Sequence, residues 1–407
     1  MTTSMNVELD RPYVPPEERS TVFAEVDIDP GSQPGTATRQ VVICIDRSGS
    51  MDSMFSTGEA KIEQAQEGAK NVLGLLNDED HLGIVSFNSR TSVTQDIQQF
   101  GDLDEGDVRT KIDGITANGG TDIYGALERS RDMLDGLPGG ENTTKRILLL
   151  SDGEDNEKDA PDFEPLATEI GNNGVSIVSA GLGAAYDQPT IKTIGEASQG
   201  SWDHLDDAQG ILQFFGSAIE DAGKTVISNP QVRIDAVSGV EVLGAFRRRP
   251  QVQEVNLQEA GGTYAVGLPD LLKRQQQQVM FELEVPGRPE GEVQLGDIHL
   301  DAGQQSLSES LQVEYTADTD LQQERNIDVW AKYHDADART TLATADTQAA
   351  LNEAKEKTEM VNAVAGDTQI ATNLETSVTN VEESGKGEAE KEAKQGSTIV
   401  PDEDAFQ

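Results

Sequence analysis

The 407-residue chain is short of several residue types, and each shortage removes a class of protein. Cysteine is reduced to Cys44, which excludes an intrachain disulfide; its place in the run Val41-Val42-Ile43-Cys44-Ile45 marks it as a small buried hydrophobe. The four histidines, His81, His204, His299 and His334, lie far apart and no Cys-x-x-Cys pair exists, which leaves little for a zinc site. Aromatics make up 4% of the chain, so its cores must be aliphatic. Basic side chains number 31 against 74 acidic ones, a formal net charge of −43 that excludes a nucleic-acid binder. No apolar run approaches 18 residues, and the start MTTSMNVELDRPYVPPEERS has no basic-then-apolar pattern. Neither a membrane span nor an export signal is expected, and the expected location is cytoplasmic. A Gly-x-Ser-x-Gly elbow and a P-loop are also missing, so neither that kind of hydrolase nor nucleotide hydrolysis is expected.

The acidic residues run through folded-looking segments as well as the ends. In dilute buffer their mutual repulsion opposes compaction, whereas at molar salt the screening length falls to about 3 Å. The composition therefore reads as that of a halophile's cytosolic protein, the alternative being an ordinary acidic protein with a disordered tail.

Along the chain, 1–19 are polar and proline-rich and read as a flexible N-terminus, and 20–30 contain an alternating strand, Thr21 to Ile28. From 39 to 222, short apolar strands (40–46, 81–87, 92–97, 146–151, 175–180, 201–204) alternate with helical stretches. The best of these are Ile62, Ala65, Ala69, Val72, Leu73 and Leu76, and Ile123, Leu127, Ser130 and Leu134. Less regular helices are expected near 105–115, 163–172, 188–198 and 207–222. That pattern predicts an α/β domain with a doubly wound, mostly parallel sheet. Between 226 and 318 the helical period gives way to strand-like runs, including one at 252–257, which predict an all-β sandwich. The strand at 21–28 has no place in the α/β domain and is expected to join that sandwich. Residues 321–382 carry helix formers with a break near Gly366 and predict a helical hairpin, and 383–407 lack an apolar period and are expected to be disordered.

Three stretches carry the chemistry. Asp46-Arg47-Ser48-Gly49-Ser50 follows the first strand of the α/β domain; Thr121 in Gly119-Gly120-Thr121-Asp122 precedes a helix; Asp152 in Ser151-Asp152-Gly153 ends another strand. In open α/β sheets ligands gather beyond the carboxyl ends of the strands. Five hard oxygens meeting there describe a site for Mg2+, Mn2+ or Ca2+ with nothing soft on offer. With two carboxylates and three neutral hydroxyls, the ion keeps charge for an incoming anion.

These residues resemble the metal-ion-dependent adhesion site of von Willebrand factor A (VWA) domains, and the resemblance spans roughly 39–222. It implies that Ser48, Ser50 and Thr121 are hydroxyl ligands, that Asp46 and Asp152 bind directly or through water, and that a partner's Glu or Asp fills the last position. The overall arrangement also resembles prokaryotic relatives of calcium-activated chloride channel regulators and inter-alpha-trypsin inhibitor heavy chains. Many such relatives are exported, and this sequence shows no signal for it.

Weaker features have a plain reading beside the functional one. Glu154, Asp155, Glu157 and Asp159 add a second cation or select a basic partner, or are simply a solvated acidic loop. Arg47 attracts an acidic ligand or is an exposed loop arginine. Arg247-Arg248-Arg249 pairs with an acidic neighbour or forms a surface turn. Asn142-Thr143-Thr144 is a glycosylation sequon without an export route. Trp330 reads as core, and His81 and His204 as structural. The expected function is a non-enzymatic, divalent-metal-dependent protein-binding module, with the helix at 207–222 as a possible switch. The alternatives are an accessory subunit of a Mg2+-dependent MoxR- or chelatase-type ATPase complex, with an AAA+ ATPase as partner, and a metal-dependent hydrolase. The hydrolase lacks a general base other than Asp or Glu.

Overall fold

The computed structural model describes residues 3–31, 38–55, 58–138, 143–183, 186–302, 305–343, 348–366 and 368–384. The chain opens with β1 (Ser4–Leu9), β2 (Tyr13–Val14) and β3 (Ser20–Asp29). β1 pairs antiparallel with β3, so the expectation of a flexible 1–19 is corrected. Its alternation Met5, Val7, Leu9 was short enough to be hidden among polar neighbours, and the partner strand decides its state.

The α/β unit runs through β4 (Thr38–Asp46), α1 (Lys61–Leu73), β5 (His81–Phe87), β6 (Thr91–Gln99), α2 (Glu105–Asp113) and α3 (Ile123–Asp135). It continues with β7 (Thr143–Ser151), α4 (Ala160–Asn172), β8 (Val175–Leu182), α5 (Gln188–Ala197), β9 (Ser201–Leu205) and α6 (Ala208–Lys224). Its six strands lie in the order β6-β5-β4-β7-β8-β9, all parallel except the edge strand β6. Burial on both faces explains the unbroken apolar runs. On β4, Val41, Ile43 and Ile45 point to the face covered by α1, α2 and α6, while Val42 and Cys44 point to the face covered by α3, α4 and α5. The Cys44 Sγ lies 3.1 Å from the Ser130 Oγ, and burial pushes its thiol up to about 12, which leaves it unreactive.

The rest of the chain builds a sandwich from β10 (Thr225–Ile227), β11 (Gln231–Ala236), β12 (Glu241–Arg249), β13 (Gln253–Glu254), β14 (Gln258–Ala260) and β15 (Thr263–Gly267). β16 (Leu271–Leu272), β17 (Gln277–Val285), β18 (Gly291–Ala302) and β19 (Gln305–Tyr315) complete it. One sheet is ordered β1-β3-β17-β12-β13 and the other β14-β15-β11-β18-β19-β2, around a mostly aliphatic core that includes Val22, Val26 and Leu300. Of the strand expected at 252–257 only Gln253–Glu254, β13, is strand, and β14, on the other sheet, begins at Gln258. β3 pairs with β17 along its length, from Ser20–Val285 to Ile28–Gln277, so the α/β unit is inserted between the first strands of the sandwich and the rest. The ribbon of β10 and β16 fastens the end of α6 to the sandwich, and Arg146 of β7 reaches Asp270 at 3.2 Å across the join.

Among the described residues the C-terminal region holds three helices rather than a hairpin: α7 (Ile327–Ala343), α8 (Gln348–Ala365) and α9 (Gln369–Ser384). The turn at Gly366 separates two helices as its glycine suggested. α7 packs Trp330 and Tyr333 on Phe23, Phe246 and Met280 of the five-stranded sheet. The segment expected to be disordered lies outside the described residues from 385 onward, and 383–384 extend α9. Among the described residues no helix is long and apolar enough to cross a membrane.

Candidate metal centre

β4 and β5 succeed each other toward one edge of the sheet, while β7 and β8 proceed toward the other. The carboxyl ends of β4 and β7 therefore flank the crevice where helix connections part to opposite sides. Asp46 ends β4 and Asp152 follows β7, so both carboxylates enter this crevice from neighbouring, fully buried strands. The chain then leaves β4 through a loop laced to its neighbours: the Arg47 amide donates to the Phe87 carbonyl at 2.7 Å, and the Gly49 amide to the Gly119 carbonyl at 2.9 Å. Gly119 has φ of +80°, a conformation other residues rarely adopt, and it brings the third stretch against the first.

The five oxygen-bearing side chains converge. The Ser48 and Ser50 hydroxyls are 2.9 Å apart, and the Ser50 hydroxyl donates to Asp152 Oδ1 at 2.7 Å. A Cβ placed on Gly153 would lie 3.1 Å from Thr121 Oγ1, 3.8 Å from Ser50 Oγ and 4.0 Å from Asp46 Oδ2; these oxygens surround one small space that a side chain at 153 would invade. Asp46, Ser48, Thr121 and Asp152 are buried and Ser50 is exposed at the mouth. Asp46 Oδ1 accepts from the Ser48 amide at 2.7 Å, and Oδ2 from the Ser151 hydroxyl at 2.5 Å. Burial raises its carboxyl to about 6 against these hydrogen bonds, with the negative charge of Asp152 adding to the rise. Among the described residues no set of three or more His, Cys, Asp or Glu could hold a metal. The donor set here is two carboxylates and three hydroxyls, all hard oxygens, which fits Mg2+, Mn2+ or Ca2+.

Two participants escaped the sequence reading. Ser151 positions Asp46, and Lys61, the first residue of α1, places its Nζ 2.6 Å from Asp152 Oδ2. Lys61 lies four residues before Ala65 on the buried stripe of α1, and a charge on an apolar stripe was the available signal. A rim also forms around Asn88 and Ser89: the Asn88 carboxamide donates to the Asn118 carbonyl at 2.8 Å and the Gly120 amide to the Ser89 hydroxyl at 2.8 Å.

The remaining candidates lie elsewhere. Asp155 caps α3, its Oδ2 accepting from the Ile123 amide at 2.7 Å, while its Oδ1 accepts from the Glu157 and Lys158 amides; it organises the acidic loop rather than offering a free carboxylate. Arg47 is half-buried, with its guanidinium 3.4 Å from the Ser92 hydroxyl. Arg247, Arg248 and Arg249 lie on β12 rather than in a turn, and Arg248 is buried 3.3 Å from Asp335 of α7. Trp330 is core. His204 Nε2 lies 2.8 Å from Asp206, and His81 begins β5. Asn142 falls outside the described residues.

Residues 41–154 match the von Willebrand factor type A domain family, and the whole chain has the fold of a von Willebrand factor type A protein from Catenulispora acidiphila. Over 98% of this chain and 97% of that one the TM-score is 0.77 at 17% identity. The chain carries a VWA domain, with its sheet extended beyond the matched residues to β9. It is 24% identical to the uncharacterized protein sll0103 of Synechocystis over 76% of this chain and 75% of that protein. It is also 24% identical to calcium-activated chloride channel regulator 1 of Macaca mulatta over 49% of this chain, a stretch that spans only 20% of the macaque protein.

Proposed function

We propose that the chain is a non-enzymatic binding module that holds a divalent cation, Mg2+, Mn2+ or Ca2+, at Asp46, Ser48, Ser50, Thr121 and Asp152, and through it captures an Asp or Glu side chain of a partner protein. The observation that carries this reading is the convergence of those oxygens at the crevice between β4 and β7, with Ser50 at an open mouth. A bound cation would supply a Lewis-acidic point that an acidic side chain can ligate. The protein's own residues do the rest. Ser151 and the Ser48 amide fix the Asp46 carboxylate, Gly119 and Gly49 lock the two loops together, and the rim at Asn88, Ser89 and Asn118 presents the surface that selects the shape of a partner. The acidic surface suits work in a salty cytosol, where carboxylate repulsion is screened.

The test is affinity capture from high-salt lysate with Mg2+ or with chelator, wild type against Asp152→Ala, alongside Mn2+ binding by the purified protein. Partners retained only by wild type with Mg2+, together with Mn2+ binding that Asp152→Ala abolishes, support the reading. Partners retained equally in every arm, or a protein that does not take up Mn2+, sink it.

A further inference from the structure

We infer that Lys61 makes the capture of a divalent cation and the capture of an acidic group interdependent: its built-in positive charge on Asp152 keeps a cation weakly held alone and firmly held only together with a partner's carboxylate. This rests on the metal-binding reading above.

The geometry is specific. Lys61 begins α1, an end of a helix that favours negative rather than positive charge, and its side chain is only 10% exposed. A lysine there is unfavourable on local grounds, so its place is held by what it touches. Its Nζ lies 2.6 Å from Asp152 Oδ2 and 3.4 Å from the Leu182 carbonyl, beneath Gly183, where a Cβ would come within 3.5 Å of both Nζ and Cε. Asp152 thus divides its oxygens: Oδ2 faces the ammonium and Oδ1 faces Ser50 and the candidate metal position.

Charge counting gives the consequence. Asp46 and Asp152 carry two negative charges and Lys61 one positive charge, so the cluster is singly negative before a cation arrives. With a divalent cation it becomes singly positive, and with a partner's carboxylate added it becomes neutral. Without Lys61 the same three states are doubly negative, neutral and singly negative. Charges a few ångströms apart in a partly desolvated crevice interact far more strongly than in water, so these differences govern occupancy. Lys61 therefore disfavours the cation by itself and favours the addition of a carboxylate once the cation is bound.

The experiment measures Mn2+ affinity of the full chain at pH 7.5, with and without glutarate as the carboxylate probe, for wild type, Lys61→Met, Lys61→Gln and Lys61→Arg. Wild type and Lys61→Arg are expected to bind Mn2+ weakly alone and several-fold more tightly with glutarate. Lys61→Met and Lys61→Gln should bind Mn2+ alone roughly tenfold more tightly or better, with the glutarate enhancement reduced several-fold. General damage to the site would weaken Mn2+ binding, the opposite sign. If wild type binds Mn2+ and the two neutral variants bind it no better, or keep the full glutarate enhancement, this inference is overturned while the metal site stands. If wild type takes up no Mn2+, both fall.

Discussion

Two places in this molecule bury carboxylates, and they treat them differently. Where α7 docks on the sandwich, Asp335 sits between two buried guanidinium groups, with Arg339 Nε at 2.7 Å and Arg248 Nη2 at 3.3 Å, and Arg339 reaches on to Ser377 of α9 at 3.1 Å. Asp335 is paired on both sides by side chains of its own chain. At the crevice between β4 and β7, Asp152 meets the ammonium of Lys61, while Asp46 is held by the Ser48 amide and the Ser151 hydroxyl. The first arrangement joins structural elements. The second gathers two buried carboxylates and three hydroxyls beside an exposed Ser50, the arrangement on which the proposed cation site rests.

Breaking the closed cluster should cost most. Asp335→Ala removes the carboxylate that two buried guanidinium groups share and should lower unfolding stability by about 3–5 kcal/mol, read from urea denaturation, while leaving Mn2+ binding at the distant crevice unchanged. A stability loss below about 1 kcal/mol would mean that α7 is held by its apolar face alone. At the open cluster the sign of the consequence differs. Asp152→Asn should reduce Mn2+ affinity at least a hundredfold, about 2.7 kcal/mol, with a smaller loss of metal-free stability, because it removes a buried negative charge that the fold compensates only in part. Equal losses at both clusters in the metal-free protein would erase the contrast between them.

A third carboxylate sharpens the comparison through pH. Glu25 of β3 is buried beneath α7, and burial raises its carboxyl to about 7 even though Lys332 Nζ lies 2.6 Å away. Its folded value thus lies above its unfolded one, near 4.5. Between these values the folded state holds more protons than the unfolded state, so this group's contribution falls as pH rises from about 4.5 to 7 and is level above that. Glu25→Gln should remove that slope and stabilise the protein at pH 8 by about 1–2 kcal/mol, seen as a shift of the urea midpoint. An unchanged slope would assign the pH dependence to other groups. The smallest effect is expected at the rim of the crevice. Gly119→Ala forces a side chain into a positive-φ position against Asn88, and should cost about 1 kcal/mol of stability and a few-fold in Mn2+ affinity.

Much of this was legible in the sequence where chemistry repeats with a short period. The apolar strands of the VWA domain are buried on both faces, so their runs are continuous and easily found, and Asp46, Ser48, Ser50, Thr121 and Asp152 sit at breaks where strands or turns must end. Lys61 and Ser151 were not legible as site residues, since one lies on a helix eleven positions beyond Ser50 and the other looks like the last residue of a strand. Their roles exist only once β7 lies beside β4. Arg248 read equally well as surface or partner for the same reason: its acid is 87 positions away in α7.

The sequence alone determined the alternation of elements, the aliphatic character of the cores and the hard-oxygen chemistry of the candidate site, because each follows from local spacing and side-chain type. Tertiary structure alone decided which charges are balanced. The strand at the start of the chain joins the sandwich, the C-terminal helices seal Asp335 between two arginines, and Lys61 meets Asp152, because electrostatic compensation depends on distance in space, which the order of residues does not state.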